Sequence, residues 1–258
     1  MNAHASPRRH RYAPAVLVLL ALILTGGLYA LMGPAAEADT ASASDIEDGQ
    51  RLFQANCATC HGTQGQGTDI GPSLVGVGAA SVHFQVSTGR MPMASNSAQA
   101  PVKPAQFDEE EIGKMAAWVA TLGPGPAIPD AEAVDPALGD PANGMQLFRT
   151  NCAMCHNAVG SGGALTEGKY APALYDSTPT QIYEAMLTGP QAMPVFNDSS
   201  VTPEGKRDII AYLMEQREVT PGGLSLGSLG PVSEGIWAWV IGIGSLIGIA
   251  VWVGAKSS

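Results

Sequence analysis

Two copies of one sequence pattern constrain the fold of this chain more than any other feature. The first copy runs from Gly49 to His61 (GQRLFQANCATCH) and the second from Gly144 to His156 (GMQLFRTNCAMCH), so matched positions are 95 residues apart. Each copy continues through a Gly-rich loop, a proline-leucine element and a Thr-Gly…Met-Pro element, and ends in an apolar pattern with helical spacing. A repeat of this kind predicts two similar folding units in tandem.

The matched segments 49–61 and 144–156 both end in C-x-x-C-H, the attachment pattern for c-type haem. Cysteines three residues apart on one helical turn face the same way and can form thioethers with the two vinyl groups of a haem. The histidine that follows lies over the same face, so its imidazole can meet the iron from that side. The sequence therefore predicts two haems c, and the residues that hold them are Cys57, Cys60 and His61, and Cys152, Cys155 and His156.

Other uses of paired cysteines explain the pattern less well. A thioredoxin-like redox centre has a single C-x-x-C in a βαβ context, whereas this chain has two pairs without that context. A four-cysteine zinc site brings its pairs within about 15–20 residues and would leave both histidines unexplained. Haem attachment accounts for all six residues.

The opposite side of each iron is expected to be filled by a methionine, so that redox cycling leaves the coordination unchanged. Met91 and Met193 occupy matching places in the repeat, each before a proline, 30 and 37 residues beyond their histidines. Met93 is close enough to compete with Met91. His83 is the other histidine between the two apolar segments, and we expect it at the surface or against a haem propionate. As a distal ligand, it would instead give a bis-histidine haem.

Two uncharged apolar segments have the length of membrane-spanning helices, residues 13–33 and residues 235–254. A cleaved signal peptide is the alternative interpretation of the first segment. The second is flanked by tryptophans at both ends (Trp237, Trp239 and Trp252), as in an interfacial aromatic belt.

Charge distribution predicts the orientation and excludes one class of partner. Arginines precede the first apolar segment and Lys256 follows the second, so both ends are expected in the cytoplasm, with the haem units on the outer face of the cell membrane. Residues 35–230 carry 22 acidic and 9 basic side chains. Nucleic acid is therefore excluded as a partner, because phosphate binding needs a basic surface.

The expected fold is mainly α, with two tandem class I cytochrome c-type haem domains between two transmembrane helices. Residues 95–106 are expected to be a surface insertion within the first domain. The predicted organisation is a cytoplasmic leader (1–12), a transmembrane helix or uncleaved signal anchor (13–33), a first cytochrome c domain (45–123), a linker (124–143), a second cytochrome c domain (144–221), a tether (222–234) and a transmembrane helix (235–254).

With its tandem haem motifs, its Phe84–Pro92 stretch (FQVSTGRMP) and its aromatic-flanked C-terminal helix, the chain resembles the dihaem cytochrome c subunit of actinobacterial menaquinol–cytochrome c reductase, the cytochrome bcc complex. The resemblance implies a cytochrome b subunit and a Rieske iron–sulfur subunit as partners. It implies that the first haem accepts electrons from the Rieske cluster, and that the second passes them to a cytochrome c oxidase in a supercomplex. The enzyme is then a translocating quinol–cytochrome c reductase, in which this chain alone is an electron carrier. The implied axial pairs are His61 with Met91 and His156 with Met193.

Two other functions remain open from the residues alone. A dihaem subunit of a terminal oxidase or of a periplasmic dehydrogenase would also have tandem domains, although the C-terminal anchor counts against it. A haem-based ligand sensor would leave one iron with an open position.

Overall fold

The computed structural model of the chain describes residues 12–32, 41–95, 97–218 and 231–256. The chain divides into two compact units, residues 1–40 and residues 41–258. In the first unit the described helix is α1 (Ala13–Met32). The predicted leader (1–12) and tether (222–234) lie mostly outside the described residues.

The first repeat begins the second unit with four helices, in the order α2 (Ala43–Asn56), α3 (Ala58–His61), α4 (Gly78–Ser87) and α5 (Glu109–Ala120). Both long helices begin at capping boxes, in which a side chain before the helix and one on its first turn satisfy each other's backbone N–H groups. The pairs are Ser42 with Asp45 for α2 and Asp108 with Glu111 for α5. Their sequences therefore set where these helices start.

The second repeat follows the same order after two short helical turns. The turns are α6 (Ala131–Val134) and a 3-10 turn at Pro136–Leu138. Its helices are α7 (Pro141–Asn151), α8 (Ala153–His156), α9 (Pro179–Thr188) and α10 (Pro203–Glu218). Between α8 and α9, β1 (Gly163–Ala164) pairs antiparallel with β2 (Tyr170–Ala171), with a 3-10 turn at Thr166–Gly168 between the strands. The prediction of a mainly helical chain is confirmed, with this small strand pair as an addition.

A glycine at the start of each sequence repeat sets how its first and last long helices cross. A Cβ atom on Gly49 of α2 would collide with the backbone oxygen of Lys114 in α5. A Cβ atom on Gly144 of α7 would collide with the backbone oxygen of Asp208 in α10. The two helix pairs therefore touch backbone to backbone, at a separation that no larger residue allows.

An aromatic pair fills the core beside each crossing. In the first repeat the rings of Phe53 and Trp118 have centroids 4.4 Å apart. In the second the rings of Phe148 and Tyr212 have centroids 5.6 Å apart. All four side chains are buried, and tilted aromatic pairs of this kind add about 0.5–1.5 kcal/mol to the stabilisation from burial. The phenylalanine of each Leu-Phe pair thus fixes the motif helix to the last helix of its repeat.

The last helix of the chain is α11 (Pro231–Lys256). Among the described residues one segment, Gly235–Lys256, is long and apolar enough to cross a membrane, and none of its most apolar stretch is buried in the protein. Helix α1 contributes the shorter apolar stretch Pro14–Gly26. A second span at residues 13–33 and the orientation of both helices remain predictions.

Candidate functional site

The second repeat encloses a cavity of about 580 Å³ next to its C-x-x-C-H motif. This volume lies within the range of cofactor sites, about 300–1,000 Å³. Cys152, Cys155 and His156 line it together with Met193. Its other walls include apolar side chains from three helices, among them Phe148 (α7), Ile182 and Met186 (α9), and Ile209 and Leu213 (α10).

The backbone presents both motifs in the same way. Cys152 ends α7 and precedes α8 with φ −120° and ψ −33°, and Cys57 does the same between α2 and α3 with φ −120° and ψ −23°. The amide of His156 donates to the carbonyl of Cys152 at 2.9 Å, and the amide of His61 to the carbonyl of Cys57 at 3.0 Å. Each motif is therefore a single helical turn set at an angle to the helix before it.

Each motif histidine is oriented by a proline carbonyl from the loop that follows it. His61 Nδ1 lies 2.8 Å from the Pro72 oxygen, and His156 Nδ1 lies 3.0 Å from the Pro172 oxygen. A carbonyl only accepts hydrogen bonds, so Nδ1 carries the proton and Nε2 keeps the lone pair that can bind a metal. Burial lowers the pKa of His156, against the smaller effect of the Pro172 hydrogen bond, which favours the neutral ring that ligation requires.

The first thiol of each motif is unlike the reactive thiol of a redox-active cysteine pair. Burial, with a smaller contribution from the neighbouring cysteine, raises the pKa of Cys57 and of Cys152 to about 11. Reactive C-x-x-C centres depend on a pKa lowered well below the usual 8.5. This result counts against the thioredoxin-like alternative.

Met91 and Met193 each pack against the same core cluster as the first cysteine of their motif. Met91 and Cys57 pack against one core cluster, formed by Val86, Ile112 and Met115. In the second repeat, Met193 and Cys152 pack against the cluster that contains Phe148 and Ile209. Met93 is half-buried and joins none of the core clusters found in the described part of the chain. This placement favours Met91 over Met93 as the partner of the first motif.

The segment 95–106, predicted to be a surface insertion, is exposed at most of its described residues, but two of them, Gln99 and Ala100, contact the second repeat. Ala100 is 1% exposed, and its backbone amide donates a hydrogen bond to Gln191 Oε1 of the second repeat at 3.2 Å. Gln99 forms two 2.9 Å hydrogen bonds with the backbone of Tyr170. The segment therefore packs against the second repeat. Sequence alone does not indicate this contact, because a proline- and alanine-rich stretch is equally typical of a solvated loop.

The cavity of the second repeat is completed by side chains of the first. They come from the end of α4 and from the loop that follows it, and include Phe84, Thr88, Arg90, Gln99 and Lys103. Residue by residue comparison of the two copies would have flagged Arg90, because the residue before the matching methionine in the second copy is Ala192.

His83 is buried where the two repeats meet, so the expectation of a surface position is wrong. Its Nδ1 lies 2.8 Å from the carboxylate of Glu184 in the second repeat, and its Nε2 lies 3.1 Å from Glu109 Oε2 in the first. Because both nitrogens face carboxylates, the ring is not placed as a distal iron ligand. Burial alone would lower the pKa of His83, but Glu184 and Glu109 together outweigh it and raise that pKa.

The side chains around the cavity fit a covalently attached haem. Two thiols on one turn, an imidazole with a free Nε2 and a thioether are the donors that such a group takes. The apolar walls suit a flat macrocycle, and Arg90, a buried cation, lines the same cavity.

Comparison with known proteins agrees with this chemistry. Residues 44–119 and 139–213 each match the family model described as cytochrome c oxidase, cbb3-type, subunit III. The chain is 47% identical to a protein of Mycobacterium tuberculosis over 96% of its own length and 92% of that protein. It is 46% identical to a protein of Mycobacterium leprae (94% and 87% covered) and 44% identical to one of Corynebacterium efficiens (96% and 90% covered). All three are named cytochrome bc1 complex cytochrome c subunit.

Proposed function

This chain belongs to the family of cytochrome c subunits of the cytochrome bc1 complex, and we propose that it relays single electrons through two haems c. In this proposal electrons enter at the first haem from a Rieske iron–sulfur subunit, pass to the second and leave to a cytochrome c oxidase. The observation that carries it is the repetition of one donor arrangement in two halves that pack together within a single compact unit.

The residues of each repeat have distinct tasks in the proposed sites. When bound, haem iron supplies a one-electron couple at a potential that its surroundings adjust. Cys57 and Cys60 hold the first group covalently, with His61 and Met91 as axial ligands. The second repeat assigns the same roles, in the same order, to Cys152, Cys155, His156 and Met193. With both axial positions filled by the chain, neither oxidation state needs a new ligand.

The cavity walls contribute to the potential. A ferric centre carries one more positive charge than a ferrous one, so apolar surroundings destabilise it. A methionine ligand acts in the same direction, because the soft thioether favours ferrous iron. We therefore assign the second site, with its apolar walls and Met193, a potential suited to accepting electrons.

The proposed domains are 45–123 and 144–221, joined by the linker 124–143. Anchorage is assigned to α11 and to residues 13–33, which places the haem domains at the outer face of the membrane. The proposed partners are a cytochrome b subunit, a Rieske subunit and an oxidase in a supercomplex, with the quinol chemistry outside this chain. Agreement with the relatives extends over nearly the whole chain, whereas the oxidase-subunit model matches the two repeats only. This difference favours the quinol-oxidising complex over the terminal oxidase alternative.

Haem content and copurification test the proposal. The full chain, isolated from its native membrane in mild detergent, should contain two covalently bound haems c per chain by pyridine haemochrome assay. Cytochrome b and Rieske subunits should copurify with it. One haem per chain would contradict the dihaem relay, and copurification with oxidase subunits alone would favour the alternative.

Carbon monoxide separates the relay from a ligand sensor. Because each iron is proposed to have two protein ligands, the reduced intact chain should bind carbon monoxide slowly or not at all. Rapid and stoichiometric binding at either haem would contradict the relay and support the sensor.

A further inference from the structure

Arg90 belongs to the first repeat by sequence but to the second by position. It immediately precedes Met91, the proposed ligand of the first iron, yet it lines the cavity beside Cys155 and His156. Its side chain is 6% exposed, and its guanidinium lies over the ring of Phe84, 4.9 Å from the ring centre. The cavity of the second repeat therefore contains a cation supplied by the other half of the chain.

That cation has no anionic partner among the described residues. Arg90 Nε is buried without a hydrogen-bond partner there, and none of the ion pairs formed within the described ranges includes Arg90. Asp176 is the carboxylate among the cavity-lining residues, and its charge acts on Arg217. A buried guanidinium without an opposite charge is strongly unfavourable, so the occupant of the cavity must bring an anion.

A second positively charged side chain, 13 residues after Arg90, also faces this cavity. Lys103 also lines the cavity, and its Nζ donates to the Pro92 carbonyl at 2.7 Å, which fixes it beside the Arg90–Pro92 turn. The side of the cavity formed by the first repeat is therefore basic, whereas the side formed by α9 and α10 is apolar. A haem has the same polarity, with two propionate carboxylates at one edge and an apolar opposite edge.

Three further contacts hold the first repeat in this position. Gln181 Nε2 donates to Ser87 Oγ at 3.2 Å, Gln99 pairs with the backbone of Tyr170, and His83 meets Glu184. They lie on both sides of Arg90 in the sequence. These contacts fix the position of the Arg90 segment beside the second repeat, and planar guanidinium groups favour bidentate contact with carboxylates.

We propose that Arg90 forms part of the second haem site, where its guanidinium binds a propionate carboxylate of the haem attached to Cys152 and Cys155. This inference rests on the proposed function, since it needs a haem in each repeat. The positive charge offsets the carboxylate and so disfavours ferric iron, which raises the potential of the second haem. The first repeat has no such cation from its partner at the matching place, because Ala192 stands before Met193.

The test compares Arg90→Gln with Arg149→Gln in the full-length, membrane-extracted holoprotein. Arg149 is an exposed residue of α7 in the second repeat, so its variant removes the same charge outside the cavity. Redox titration followed by optical spectroscopy gives two potentials, and the second haem is the component that shifts in Met193→Ala. Resonance Raman spectra report on the propionate groups independently.

We expect Arg90→Gln to lower the equilibrium constant for reduction of the second haem about tenfold, which lowers its potential by about 59 mV for one electron. It should also shift one propionate bending mode. Arg149→Gln should change neither. Arg90→Lys keeps the charge and should retain the potential within about threefold, with an altered propionate mode. It also remains measurable if the glutamine variant does not fold.

Two results would overturn the inference. One is an unchanged second potential and propionate spectrum in both Arg90 variants. The other is a shift confined to the first haem, which would mean that Arg90 acts through Met91. In both cases two haems per chain would leave the proposed function standing, whereas one haem per chain would remove its basis.

Discussion

The first and second repeats present their motifs in almost the same local geometry, yet the surfaces with which they meet are different. The cysteines that join the helices have the same φ, and the histidines bond to matching prolines at 2.8 and 3.0 Å. By contrast, the first repeat contributes Arg90, Gln99 and residues 102–105 to the wall of the cavity in the second repeat. The residues of the two motifs are therefore alike, and the residues at the contact between the repeats differ.

The proposed ligands therefore belong to the features that the two repeats share. The residues that would adjust the potential of each site belong to the features in which the repeats differ. Changes at matching ligand or packing positions should therefore have matching effects in the two halves. Changes at the contact between the halves should have unequal effects, depending on which half supplies the buried group.

The largest expected effect comes from removing a proposed methionine ligand. Met193→Ala and Met91→Ala should each remove roughly half of the methionine–iron charge-transfer absorbance, because each removes the proposed ligand of one of the two proposed haems. Steady-state electron transfer through the complex should fall at least about tenfold in both, since the altered haem loses the potential set by the thioether. Absorption spectra of the oxidised protein check the first effect and quinol oxidation assays the second.

Met93→Ala is the matched control for the first repeat. It should leave the charge-transfer band intact, because Met93, unlike Met91 and Cys57, does not pack against the core cluster of Val86, Ile112 and Met115. Loss of the band in Met93→Ala, with Met91→Ala unaffected, would transfer the ligand role to Met93 and end the equivalence of the two repeats at this position.

The next largest effect tests the helix crossings. Gly49→Ala and Gly144→Ala should each lower the free energy of unfolding by about 3 kcal/mol, since the added Cβ meets a backbone carbonyl that cannot move independently. Thermal or chemical unfolding of the holoprotein, followed by circular dichroism, measures this loss.

Gly113→Ala provides the control within α5. Nothing lies within 4 Å of a Cβ added there, so the better helix propensity of alanine should leave stability unchanged or raise it by up to about 1 kcal/mol. A Gly144 variant as stable as the Gly113 variant would show that the second crossing is not a backbone contact.

These cases show how far the sequence could predict the molecule. The repeat predicted the motif turns, because local spacing determines which side chains share a helical turn, whereas its choice of Met91 and Met193 as ligands remains a prediction. The helical patterns at 108–122 and 204–217 likewise anticipated α5 and α10, which occupy Glu109–Ala120 and Pro203–Glu218. Such features depend on periodicity within one repeat.

The contact between the repeats could not be predicted in the same way. His83 and Glu184 are 101 residues apart, and neither has a counterpart that would reveal the pairing. Comparison of the two copies singles out Arg90, but nothing in its own repeat indicates which cavity it enters. Contacts between distant segments follow from how two folded units pack, which one copy of the pattern does not encode.

A smaller effect should appear in the pH dependence of the contact between repeats. Because Glu184 and Glu109 raise the pKa of His83 despite its burial, the folded protein binds the imidazole proton more tightly than the unfolded chain. This stabilisation is complete below the ordinary imidazole pKa of about 6.5 and is lost as pH rises through the raised folded value.

His83→Gln should therefore cost about 1.5 kcal/mol near pH 6, the value of a hydrogen bond to a charged group, and less near pH 9. The thermal midpoints of the two proteins, measured from pH 5.5 to 9, should converge as pH increases. Parallel curves would show that the protonated imidazole does not stabilise the contact.

The smallest effect separates the two carboxylates that face His83. Glu184 belongs to the second repeat and is fully buried, whereas the Glu109 side chain, from the first repeat, is 77% exposed. Solvent screens an exposed ion pair, so Glu109→Gln should cost less than about 1 kcal/mol at pH 6 and lose half of that effect in high salt. Glu184→Gln at the same pH should resemble His83→Gln and respond little to salt, because the pair it breaks is shielded from water. Equal and equally salt-sensitive effects at the two positions would mean that the buried carboxylate contributes no more than its exposed neighbour. The contact between the repeats would then depend on Gln99 and Gln181, whose hydrogen bonds carry no charge to screen.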